Sequence, residues 1–111
     1  MSRLFWADPR IPQHSADLVL MVHMYHEVAL PYGLLFNLLP ALRANARVAV
    51  IDIDQPTAQH GTPHALLLCE FHSLGFRQTH WGWLRGHSEY LALFEPPARP
   101  PKHEAIVPCS P

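Results

Sequence analysis

ADLVLMVHMYHEVALPYGLLFNLLPALRANARVAVIDID, residues 16–54, is the stretch whose reading decides the fold. Its opening, DLVLMV (17–22), is an apolar run without alternation. Such a run suits a strand covered on both faces, as in a parallel sheet. A loop rich in His and Tyr follows. Leu34, Leu35, Leu38, Leu39 and Leu42 then recur at helical spacing. Pro31 sits near the start of that helix, where its missing N–H costs little. Pro40 is expected to kink or restart the helix. RANAR (43–47) is expected to end it, with Asn45 as a left-handed cap. RVAVIDI (47–53) reads as a second buried strand.

Upstream, RLFWA (3–7) is a candidate short strand, and the proline-containing DPRIPQHSAD is a loop. Downstream, TPHALLLCEFHSLGF (62–76) carries a strong helix pattern. Thr62 can cap it, Pro63 fits its first turn and Gly75 can end it. FRQTHWGWL and SEYLALFE read as two strands. RGH between them permits a tight connection, with Gly86 free to take a positive φ. Strands alternating with helices argue for an α/β fold with a mostly parallel sheet, helices on its faces and an antiparallel last strand.

Composition narrows the function classes. The chain has 111 residues, 49% hydrophobic and 15% charged, which suits one globular domain. Net charge is −1 and the eight Lys and Arg form no cluster, so no nucleic acid or anionic membrane partner is expected. No apolar run approaches the roughly 20 residues of a membrane span. The N-terminus lacks a signal-peptide pattern. Cys69 falls in a helix and Cys109 in the tail. They are expected to stay separate, in a reducing, cytoplasmic compartment. Six of the twelve prolines lie in residues 96–111, which should form an extended, weakly ordered tail after a domain spanning 1–95.

The order ADLVLMVHMYHEV…LLPALRANARVAVIDID…HGTPHALLLCEFHSLGFRQ…SEYLALFE resembles the C-terminal half of class I S-adenosylmethionine-dependent methyltransferases. The resemblance covers residues 3–95 and rests on order and spacing. It implies a partial Rossmann-like sheet taken from the family strand order 3-2-1-4-5-7-6, with RLFWA as strand 3 and DLVLMV as strand 4. The family's Gly-rich cofactor loop has no counterpart. The five glycines, Gly33, Gly61, Gly75, Gly82 and Gly86, make no Gly-x-Gly between a strand and a helix. The expectation is a truncated or split methyltransferase with little activity alone. The alternative is a noncatalytic module that pairs through an exposed strand edge, with a second copy or an N-terminal-half partner chain.

The resemblance implies roles for particular residues. Asp8 would accept the adenine amino group of the S-adenosylmethionine cofactor, and Val22 and His23 would lie beside that cofactor. In open α/β sheets the binding crevice lies beyond the carboxyl ends of the strands. His23 and His26, in the loop after the first buried strand, are therefore candidate general bases, since imidazole titrates near neutrality. Tyr25, Asp52 and His60 would line the pocket of a small-molecule acceptor. Each also has a plain reading as a packed or solvated loop group. The nine His and two Cys show only two-member spacings on different elements, so no metal site is expected. Trp81 and Trp83, two apart on a strand, should share one face and pack.

Overall fold

The computed structural model describes residues 10–84, 86 and 88–109. The candidate strand RLFWA and Asp8 lie outside the described residues. Among the described residues four strands form one sheet: β1 (Ala16–Val22), β2 (Leu42–Ile53), β3 (Arg77–Leu84) and β4 (Glu89–Glu95), in the order β1-β2-β4-β3. Helix α1 (Pro31–Leu38) joins β1 to β2, and α2 (His64–Ser73) joins β2 to β3. Among the described residues no helix is long and apolar enough to cross a membrane.

The sheet corrects the expectation of mostly parallel pairing. Among the described residues only β1 and β2 pair in parallel; β4 runs antiparallel to both β2 and β3. The cause is the β3–β4 hairpin, which turns through Gly86 at φ +69° and inserts β4 between β2 and β3.

The helix–strand boundary also moves. Helix α1 ends at Leu38, and Leu39–Ala41 forms a single 3-10 turn around Pro40. The strand then starts at Leu42, so RANAR is strand and Asn45 is not among the left-handed residues. The break expected there survives in another form. Between paired positions Ala16↔Leu42 and Leu18↔Arg47, β1 advances two residues while β2 advances five. RANAR is thus accommodated as a bulge in β2.

Both helices pack on one face of the sheet, not on both. Leu34, Leu35 and Leu38 of α1 and Leu67 and Phe71 of α2 meet Met21, Val48, Val50, Ala92 and Phe94 in a single buried cluster. Phe71 stacks on Phe94 with centroids 4.0 Å apart. The period-2 geometry of strands sends the alternate residues to the opposite face. There Leu18, Leu20 and Val22 are 60%, 56% and 49% exposed, beside half-buried Ile51, Leu91 and Leu93. The unalternating apolar run in β1 suits a strand covered on both faces; among the described residues one of its faces is open.

Helix α2 ends as its sequence implies. Gly75 has φ +86°, its N–H bonds the carbonyl of His72 at 2.9 Å, and Phe76 N–H bonds that of Phe71 at 3.0 Å. This is a Schellman motif, which needs a left-handed residue after the helix. A Cβ on Gly75 would also lie 3.0 Å from the Pro97 side chain. Gly75→Ala is expected to cost about 1–2 kcal/mol, read as a lower urea midpoint with unchanged slope.

The cysteines depart from expectation. Cys69, exposed on α2, forms a disulfide with Cys109. The unpaired thiols that suggested a reducing compartment are therefore paired. Residues 103–109 run across α1 and α2. His103 meets Phe36 edge-on, Ile106 packs on the core, Ser73 Oγ donates to Val107 O at 2.8 Å, and Cys109 N–H donates to the Tyr32 hydroxyl at 2.6 Å.

Candidate functional site

The carboxyl ends of β1 and β2 lie side by side, since they are parallel neighbours. The loops leaving them carry most of the residues singled out in the sequence. Asp52 sits one position before the end of β2, in phase with inward-facing Val48 and Val50, and is fully buried. A buried carboxylate needs donors, and three are present. Ile53 N–H reaches Oδ1 at 2.9 Å, Thr62 Oγ reaches Oδ2 at 2.8 Å, and His26 Nδ1 lies 3.2 Å from both oxygens. Thr62 therefore serves Asp52 and does not cap α2. That cap comes from Asp54, whose Oδ1 accepts the His64 N–H at 3.0 Å.

His26 belongs to the 3-10 turn Tyr25–Glu27, and its side chain is only 6% exposed. The His26 ring lies between two carboxylates, with Nδ1 directed at Asp52 and Nε2 3.7 Å from Glu27 Oε2. An ionised Asp52 accepts hydrogen bonds only, so Nδ1 carries the proton in that contact. His60 is exposed, held at φ +65°, and meets the His26 ring edge-on at 6.0 Å. Asp52, His26 and His60 thus gather in one place.

Tyr25 turns the other way. Its ring is buried against Phe71 at 5.6 Å, and its hydroxyl donates to Glu70 Oε1 at 2.8 Å. Burial pushes the Tyr25 phenol well above its ordinary pKa, and the neighbouring Glu70 charge pushes it further. Burial also raises the Glu70 carboxyl, with the Tyr25 hydrogen bond pulling the other way. Tyr90 donates to Thr62 O at 2.7 Å, and its pKa is raised by burial first and then by Asp52 and Asp54.

Tyr25, His26, Thr62 and Glu70 all line one recess of about 360 Å³, with Tyr32 and Cys109 also in its lining. A larger recess of about 760 Å³ lies at the opposite end of β2, lined by Arg43, Arg47 and Glu95. Its Arg47 is already paired with Glu95 at 3.5 Å. Of the candidate site residues singled out in the sequence, Tyr25 and His26 line the carboxyl-end recess.

His23 stands apart from this recess. Its backbone takes φ +51°, its N–H bonds Ile51 O at 2.8 Å, and its Nε2 pairs with Glu89 at the start of β4. Val22 projects onto the open face of the sheet. Trp81 and Trp83 share a face, as their spacing implies, and pack edge-on at 5.0 Å. Trp81 also stacks on His64 at 4.5 Å. Among the described residues no group of three or more His, Cys, Asp or Glu is arranged to hold a metal.

Glu70 was passed over in the sequence, although a signal was there. It sits at i+3 from Leu67 and i−4 from Leu74, on the apolar face of α2, where a charge is out of place. Glu89 gave no comparable signal, because its partner lies 66 residues away.

No family model and no curated protein matches the chain. Solved structures do match, and the class of protein that shares this fold is the S-adenosylmethionine-dependent methyltransferases. One from Aquifex aeolicus matches with a TM-score of 0.71 and 17% identity, over 79% of this chain and 50% of that one. A TehB-like methyltransferase from Corynebacterium glutamicum matches at 0.63 and 17%, over 80% and 52%. A Thermus thermophilus protein described as a DNA modification methylase, complexed with S-adenosyl-L-methionine, matches at 0.61 and 17%, over 93% and 56%. The chain spans about half the length of these structures, and the likeness is one of fold.

Proposed function

We propose that this chain is an S-adenosylmethionine-dependent methyltransferase-like protein presenting the C-terminal half of the class I sheet, with little activity on its own. One observation carries the reading. The order β1-β2-β4-β3, with β4 reversed between two strands that run alike, coincides with the 4-5-7-6 end of the class I strand order. The solved methyltransferases of the same fold support it.

In this reading Val22 and His23 face the cofactor, and Asp8, ahead of β1, accepts its adenine amino group. The cofactor, when bound, supplies an electrophilic methyl group. Asp52 holds the His26 ring so that Nε2 can take a proton from a small-molecule acceptor. Tyr25 and His60 shape the acceptor's side of the rim. Residues 10–109 contain no Gly-rich loop, so the grip on the cofactor is one-sided.

The test is calorimetric titration of the purified chain with S-adenosylhomocysteine, alongside its mass in solution. The expected dissociation constant is weaker than about 1 mM, an affinity of only about 4 kcal/mol. Micromolar binding by a monomer would overturn the one-sided pocket.

A second reading is favoured by β1, which among the described residues forms an edge of the sheet and carries the exposed Leu18, Leu20 and Val22. Such an edge can pair with a second copy. A dimeric mass without cofactor binding would support that noncatalytic role.

A further inference from the structure

The recess at the carboxyl ends of β1 and β2 has walls that offer acceptors. Glu70 carries two carboxylate oxygens and is only 8% exposed; its Oε1 already takes the Tyr25 hydroxyl. His26 commits its Nδ1 proton to Asp52, and its Nε2 lies 3.7 Å from Glu27 Oε2, a further carboxylate beside the ring. Thr62 commits its hydroxyl proton to Asp52 and keeps acceptor capacity at Oγ. Among the described residues neither Lys nor Arg lines the recess, and the Tyr and Phe members of its lining are Tyr25 and Tyr32.

A positively charged donor complements the Glu70 side of these walls, and the Thr57 and Tyr32 hydroxyls, also in the lining, can accept or donate. We infer that this recess binds a small organic ammonium ion, with Glu70 as its counter-ion and the rings of Tyr25 and Tyr32 against the cation. An ammonium group has three donors or fewer and no acceptor, the complement of these walls. Aromatic faces attract such a cation. A volume of about 360 Å³ takes a small organic molecule, not a polymer segment. The inference deepens the methyltransferase reading, and rests on it, only in naming as methyl acceptor the neutral amine that this ion becomes when it gives a proton to His26 Nε2; binding itself does not depend on that reading.

The test uses the purified, disulfide-intact chain and three probes of one shape: 2-phenylethylammonium, neutral 2-phenylethanol and anionic phenylacetate. The ammonium ion is expected to bind at least tenfold tighter than the other two. Its amide shifts should map to Tyr32, Leu66 and Glu70. Glu70→Gln should remove that preference. This variant keeps an acceptor for Tyr25 and removes a desolvated charge, so it is expected to fold. If it does not, the preference and shift map of the unaltered chain decide. Equal binding of alcohol and ammonium, preference for the anion, no binding of any probe, or an unaltered preference in Glu70→Gln would each overturn the inference. Ammonium binding without any effect of S-adenosylhomocysteine would sink the methyltransferase reading alone. The reverse result would sink this inference alone.

Discussion

Replacing Asp52 by alanine is expected to destabilise the fold by about 3–5 kcal/mol, the range for removing one partner from a buried charged network. The carboxylate is fully buried and answers three donors from three separate segments: Ile53 N–H, the Thr62 hydroxyl and His26 Nδ1. Alanine leaves those donors in a space too enclosed for easy hydration, and each orphaned donor costs about 1–3 kcal/mol. Asp52→Asn keeps the shape but puts an amide donor where two donors already point, so an intermediate loss is expected. Urea denaturation measures both. The nitrogen shifts of the His26 ring supply a second readout. Nδ1 should be the protonated nitrogen in the unaltered chain, and the preference should vanish in Asp52→Ala. A loss below about 1 kcal/mol would mean that Asp52 holds nothing in place.

The second large effect concerns the tail. Reducing the Cys69–Cys109 bond, or changing Cys69 to serine, should lower stability by about 3–4 kcal/mol. The bond closes a loop with a sequence separation of 40, and cross-linking a loop of that length removes much entropy from the unfolded chain. The contacts of Val107 with Ser73 and of Cys109 with Tyr32 should loosen at the same time, because the tether holds the segment on the helices. Thermal unfolding with and without a dithiol reductant reads the first effect. Hydrogen exchange across residues 103–109 reads the second. Two free thiols in chain purified without reductant would contradict both.

Much of the fold is legible in the residues themselves. The apolar run of β1, the Leu spacing of α1 and the Pro–Gly punctuation of α2 each depend on neighbours a few residues away, and each appears in the structure. What was misread depends on distant partners. RANAR carries turn-forming residues, yet pairing with β1 draws it into a bulged strand. The apolar run of β1 reads as a strand covered on both faces, yet among the described residues one face is open. Which neighbour a strand takes, and whether a helix covers its second face, is decided by chain far away in sequence. The disulfide is of the same kind, joining a helix to a tail segment that nothing local marks as its partner.

The candidate site divides along the same line. His26, Asp52 and His60 come together because they follow adjacent parallel strands, which the order of elements already implied. Tyr25 and His23 flank the same loop but part ways. Their directions are set by Glu70 and Glu89, which reach them across the fold. Glu70 was visible as a charge on an apolar helix face, and its pairing with Tyr25 was not.

The central claim is that this chain offers one side of a cofactor crevice at the carboxyl ends of β1 and β2. It is tested most directly by following the amide shifts of the isotope-labelled chain during titration with S-adenosylhomocysteine. The account expects shifts confined to Val22, His23 and the Asp52–Ile53 segment, unsaturated at about 1 mM ligand. Shifts at other places only, or none at that rim at any concentration reached, would contradict it.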